Sequence, residues 1–404
     1  MSRRGPAPVA RPEGLPRVLV CTGKGGVGKT TTAAALGIDA AREGARTLVM
    51  STDGAHSLGD ALAVDLHSGP VLVEERLTAE HVSAAHGLSD AWRVVQDYLL
   101  GLLGDVGIDP AVAEELTSLP GADEIAALVT LRERVRADEW DVVIVDCAPT
   151  AETLRLLALP DSLSWHLRRW LPQGSTWRPA AAAALGVPMP GPAVLEAITR
   201  WHDQMTDLKG VLRAPGSTIR LVTTPEKVVT AEARRTWTSL SLFGFTVDAV
   251  HVNRIFPTGP DWLSGWNRAQ AEGLEEVHRS FTGIPIVAMP YLPEEPIGPD
   301  ALARLAISCA EVRLTRDRPV GAASTAPLTV TETAQGYTLS VLVPFVAAAD
   351  VSLGRRGDDL LIDVAGQHRV VTLPAALAPL TVDGAGVRDG RLVVTFARDD
   401  RVIA

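Results

Sequence analysis

Cysteine is scarce: the 404-residue chain has three, Cys21, Cys147 and Cys309, far apart and without a CxxC pair. That excludes a disulfide-stapled secreted scaffold and a structural zinc clasp, and it points to a reducing, cytoplasmic setting. Long apolar runs are missing too. A membrane-spanning helix needs roughly 18 or more apolar residues, and the alanine run at 180–184 falls far short of that. Positive charge is not in surplus either. A net charge of -10 argues against a nucleic-acid binder that works through a broad basic face. Residues 1–16 are rich in Pro, Arg and Gly with no apolar core, so they are expected to form a flexible leader and not a secretory signal. What remains is a 46% hydrophobic chain, long enough for one large domain and a smaller one.

Between residues 17 and 315, short apolar runs alternate with amphipathic stretches. This predicts an α/β fold, a mostly parallel sheet flanked by helices. The strand candidates are 17–22, 46–51, 141–145, 218–222, 249–252 and 285–288, rich in Val, Ile and Leu on both faces as strands covered on both sides are. Helical insertions are expected at about 82–135 and 160–214. In the first, Leu88, Trp92, Val95, Leu99 and Leu102 recur at helical spacing. In the second, Val194, Ile198, Trp201, Met205, Leu208 and Leu212 do the same. Five prolines between Trp170 and Val194 predict a mobile loop there. A linker is expected at 316–326. From about 328 strict alternation appears in segments such as 328–332, 337–343, 360–364 and 392–396, separated by Gly, Asp and Pro turns, which predicts a small antiparallel β-sandwich over 327–404.

The first strand candidate runs straight into Gly23-Lys24-Gly25-Gly26-Val27-Gly28-Lys29-Thr30-Thr31 and then a helix over about 29–43. A triphosphate needs many donors converging on one small anion. A glycine-rich loop can turn successive N–H groups inward, and the helix behind it adds its positive end. Residues 23–30 satisfy GxxxxGK(S/T), with strand before and helix after, as a phosphate loop requires. Lys29 is expected to reach the β- and γ-phosphates, and the Thr30 hydroxyl to ligate Mg2+. The apolar run 141–145 ends in Asp146, the pattern of a Walker B strand whose carboxylate sits beside the magnesium through water.

Lys24 marks a subclass. The run GKGGVGKTT resembles the deviant Walker A of dimeric ATPases, and further segments narrow the resemblance to the ArsA and tail-anchored-protein targeting family. Ser51-Thr52-Asp53-Gly54-Ala55-His56-Ser57-Leu58-Gly59-Asp60 is similar to that family's first switch, with Gly54 in place of its proline. Ala148-Pro149-Thr150-Ala151-Glu152-Thr153-Leu154-Arg155 is similar to the second switch, with Ala151 and Glu152 replacing Gly and His. Pro120-Gly121 with Glu124, and Pro225-Glu226 with Glu232 and Arg235, resemble two more family elements, the latter a relay of nucleotide state across the dimer. The resemblance implies an ATP-hydrolysing homodimer. In it Lys24 touches the partner's nucleotide, and Asp53 polarises the attacking water and faces the magnesium's outer shell. Asn253 and Pro290 match positions that hold adenine. The C-terminal stretch resembles an α-crystallin, or small heat-shock, domain.

Three functions follow from the resemblance. One is capture and release of a hydrophobic client such as a membrane-protein helix, with a membrane receptor, in a groove built from the apolar insertions. The same apolar residues also fit plain packing within their own domain. The second is the ATPase subunit of an arsenite or anion efflux pump, which the three scattered cysteines do not favour. The third is a chaperone-like NTPase acting through its small heat-shock-like domain. A partitioning ATPase would need a basic face or a membrane helix, and the sequence has neither.

Overall fold

The computed structural model describes residues 15–52, 57–66, 69–82, 94, 97–98, 100–101, 122–147, 191–259, 261–312, 326–334 and 336–397. An eight-stranded sheet dominates. Its strands are β1 (Arg17–Thr22), β2 (Thr47–Ser51), β3 (Val71–Glu74), β4 (Leu77–His81), β5 (Val142–Asp146), β6 (Ser217–Thr223), β7 (Val247–Ile255) and β8 (Ile286–Pro290). They lie in the order β3-β4-β2-β5-β1-β6-β7-β8. Every neighbouring pair is parallel except β3 with β4.

The unbroken apolar character of the central strands has a direct cause, since β1, β2, β5 and β6 are buried along their whole length. Alternate side chains feed two cores. Val18, Val20, Val143 and Val145 join residues of α3 (Ala122–Arg136), α4 (Pro192–Arg213), α5 (Lys227–Leu242) and α6 (Ser264–Ser280). Leu19, Cys21, Val49 and Ile144 point the other way, against α1 (Lys29–Arg42), α2 (Ser57–Leu62) and α7 (Pro299–Ala306). The period of two along a strand thus makes a three-layer α/β sandwich.

The edge strand β3 and its neighbour β4 are not among the strand candidates. They are short and interrupted by acidic residues, and Leu72 is exposed. Their acidic residue Glu80 is buried because Arg134 of α3 grips it with two bonds of 2.8 Å. Such a fork of charged hydrogen bonds offsets the desolvation of the carboxylate.

In α4 the predicted apolar stripe divides. Leu208 and Leu212 are core, whereas Val194 and Ile198 are only half-buried. Most of the first insertion, and the proline-rich stretch 171–190, lie outside the described residues. So do the linker residues 313–325. Among the described residues no helix is long and apolar enough to cross a membrane.

The C-terminal strands are β9 (Leu328–Thr333), β10 (Gly336–Leu342), β11 (Val351–Arg356), β12 (Asp359–Val364), β13 (Gln367–Thr372), β14 (Thr381–Arg388) and β15 (Arg391–Ala397). They form an antiparallel four-stranded sheet, β14-β15-β10-β9, and a three-stranded one, β11-β12-β13. The inward residues Leu339, Val341, Leu360, Ile362, Val394 and Phe396 make its core. One member of that core is foreign: Leu242, the last residue of α5 and fully buried.

Candidate functional site

In the strand order β2-β5-β1-β6 the chain winds outward to both sides of β1. The crevice beyond the carboxyl ends of such strands is where open α/β sheets take their ligands. The loop 23–28 leaves β1 at that point. Gly23 passes so close to β6 that an added Cβ would lie 2.1 Å from the Val222 carbonyl oxygen. Gly28, which precedes α1, has φ 93°, and a Cβ there would come within 2.2 Å of Asn253 Nδ2. Only glycine fits either position.

The polar groups of the loop converge on its own concavity. Lys29 is largely buried, and its ammonium donates to the Lys24 carbonyl at 3.4 Å. The Thr30 and Ser57 hydroxyls are 3.3 Å apart, which brings the start of α2 to the start of α1. Asp146 is fully buried at the end of β5, and its Oδ2 accepts from the Ser51 hydroxyl at 3.2 Å. Its backbone carbonyl accepts from the Thr52 N–H at 3.0 Å. Asp53 itself, with 54–56, lies outside the described residues, but both ends of that short connection are fixed beside the site, Thr52 at Asp146 and Ser57 at Thr30. The second switch, 148–155, also lies outside them.

Asn253 stands on β7 against the underside of the loop. Its Nδ2 donates to the Val27 carbonyl at 2.9 Å, and its Oδ1 accepts from the Arg254 N–H at 2.8 Å. Pro290 ends β8, paired with Ile255, two residues along β7 from Asn253. Lys24 Nζ lies 3.6 Å from Glu232 Oε2 of α5, both side chains partly exposed. Ser51 and Ser57 stand inside the first-switch segment without a role assigned to them from sequence, and Glu232 had no partner there. Their contacts cross between elements and leave no mark on local spacing.

This donor set suits a magnesium–triphosphate: a buried lysine at a helix start, a hydroxyl beside it, and a buried carboxylate one strand away. Two titratable groups of the sheet are shifted by burial. Burial pushes the Cys21 thiol well up, and burial beside Arg220 holds the His251 imidazole well below its usual value.

A glycine loop of phosphate-loop pattern at the switch point of a doubly wound sheet, with a buried aspartate ending the neighbouring strand, defines the class of P-loop nucleoside triphosphatases. Within it, the chain belongs to the ArsA ATPase family. The family model described as anion-transporting ATPase matches residues 16–310, and a model of the HSP20-like domain found in ArsA matches 334–396. An uncharacterized protein of Streptomyces coelicolor is 38% identical over 95% of this chain and 98% of its own length. A putative arsenical pump-driving ATPase of Chlorobaculum tepidum is 30% identical over 94% and 96%. The ATPase GET3 of Ajellomyces dermatitidis is 27% identical over 70% of this chain and 86% of its own.

Proposed function

We propose that the chain hydrolyses ATP to ADP and phosphate as a homodimer, and uses the cycle to take up and release a hydrophobic client such as a membrane-protein helix. The observation that carries the ATPase reading is a glycine loop with Lys29 folded back on its Lys24 carbonyl and Thr30 beside Ser57, next to a strand that ends in the buried Asp146. Thr30 and Asp146 would hold Mg2+, Asp146 through water, and the ion would supply charge against the triphosphate. Gly23 to Thr31 wrap the phosphates, and Lys29 neutralises them. Asp53 accepts a hydrogen bond from the attacking water and orients it in line. Lys24 of each subunit reaches the other's nucleotide, in the role an arginine finger plays elsewhere. Pro290 lies against the base. Asn253 either holds adenine or braces the loop through Val27.

Client capture draws support from the family relation to GET3 and from the half-buried Val194 and Ile198 face of α4. Leu208 and Leu212 belong to the domain's own core and are not available to a client. The arsenite reading draws on relatives named as putative arsenical pump-driving ATPases. Against it, all three cysteines are buried, and Cys21 and Cys309 are pushed towards the neutral thiol, whereas soft metalloids need clustered thiolates.

The test is turnover by the purified chain. Activity should require magnesium, and Asp53→Asn should retain ATP while lowering turnover by about 100-fold or more. Sedimentation with a non-hydrolysable ATP analogue should reveal a dimer. Full turnover in Asp53→Asn, or a monomer throughout, would refute the corresponding part. Clients trapped on Asp53→Asn in cells should be membrane proteins.

A further inference from the structure

One helix, α5, touches both the phosphate loop and the C-terminal sandwich. Its second turn carries Glu232, 3.6 Å from Lys24. Its later turns seat the sandwich. The Arg234 guanidinium lies over the Phe345 ring at 4.3 Å, and Trp237 meets the same ring edge-on at 5.7 Å. Thr238 Oγ1 donates to the Pro344 carbonyl at 2.6 Å, Ser239 Oγ accepts from Gln367 Nε2 at 2.5 Å, and Leu242 sits in the sandwich core.

The seat is specific but poorly compensated. Phe345 has φ 65°, a left-handed backbone that a bulky residue adopts only under constraint. Arg369 of β13 is 6% exposed, yet its Nε and Nη1 have no hydrogen-bond partner, and neither has Gln367 Oε1. The Arg369 guanidinium instead approaches another cation. A Cβ added to Gly244 would be 3.3 Å from Arg369 Nη2 and 3.4 Å from Arg213 Nε. Orphaned buried donors and like charges make docking costly, and undocking would return those groups to water. Such a balance is open to a small push.

We propose that the sandwich is a nucleotide-released lid on α5: while Glu232 holds Lys24 the sandwich stays seated, and when phosphate draws Lys24 away the seat loosens and the face bearing Arg234, Thr238 and Leu242 is uncovered. This rests on the ATP reading above, because it needs Lys24 to be drawn to phosphate. It assigns Glu232 as a positioning residue that competes with nucleotide for Lys24. A partly exposed ion pair of this kind is weak, so its removal should tighten nucleotide binding only about two- to fivefold.

Hydrogen exchange on the full chain, with and without magnesium and adenylyl imidodiphosphate, tests this, with analogue binding measured on the same samples. Peptides over 234–243, 343–347 and 365–371 should exchange several-fold faster with the analogue. Glu232→Gln should raise their exchange without nucleotide and bind the analogue more tightly. Arg369→Met, which removes the orphaned donors but keeps the bulk, should slow exchange in both states. If the analogue fails to bind, the ATP reading falls and the proposal falls with it. If it binds while these peptides keep their exchange, or if Glu232→Gln matches the parent protein, the lid proposal alone is overturned.

Discussion

Replacing Asn253 with alanine separates two roles for this residue. Its amide spans from β7 to the phosphate loop and satisfies the Val27 carbonyl at 2.9 Å, in surroundings where Val27 is 3% exposed. Truncation leaves that carbonyl buried without a donor, at a cost of roughly 1–3 kcal/mol. A water entering the space left by the side chain recovers part of this, so about 1–2 kcal/mol remains. The loop must hold its ordered shape to grip phosphate, and the loss therefore falls on affinity, at about 5- to 30-fold. Because the brace touches the loop and not the base, ATP, GTP and inorganic tripolyphosphate should weaken together when each competes with a fluorescent nucleotide. If ATP weakens while GTP and tripolyphosphate do not, Asn253 reads adenine and the brace argument is wrong.

Three further outcomes follow from the same contacts. Gly23→Ala forces a Cβ to 2.1 Å from a strand carbonyl that cannot move aside; the urea midpoint should fall by the equivalent of roughly 3 kcal/mol, and an unchanged midpoint would show that β1 and β6 are not so close. Leu242→Ala empties a fully buried position in the sandwich core and should cost about 2–5 kcal/mol, read as earlier melting of the C-terminal strands. The Lys209 pKa is pushed down to about 8 by burial and then by Arg213 and Arg369, and Arg369 is pushed down to about 9 by burial and Arg213. A base with a depressed folded pKa binds more protons when unfolded, so stability should rise with pH from about 8 towards the unfolded value of 10.5. Thermal melts from pH 7.5 to 9.5 should show this rise, and Lys209→Met should lessen it below pH 9, where Arg369 contributes little; a fall with pH in the parent protein contradicts the assignment.

The large sheet was legible because its central strands are covered on both faces, so unbroken Val and Ile runs such as 142–145 stand out from the helices. The glycine loop was legible because its function constrains neighbours in sequence. What stayed hidden is set by contacts across the fold. The strands β3 and β4 are short, and β4 buries a charged Glu80 in the Arg134 fork beside its core residues Leu77 and Ala79, so no apolar run marks them. β11, with Gly354 and two arginines, and β14, with Gly384 and Gly386, carry too few apolar residues for alternation to show. The partners Ser51, Ser57 and Glu232 meet Asp146, Thr30 and Lys24 only once the strand order is known. The place of Leu242 in the sandwich core is likewise invisible along the chain, where it reads as the end of an amphipathic helix.

The central claim is that the loop after β1 grips a magnesium–triphosphate through Lys29, with Thr30 and Asp146 holding the ion. Calorimetric titration of the full chain with ATP tests it most directly. Saturable binding that strengthens with magnesium, and that Lys29→Ala abolishes without unfolding the protein, is the result expected. Absence of binding at millimolar ATP, or equal binding by Lys29→Ala, would contradict it.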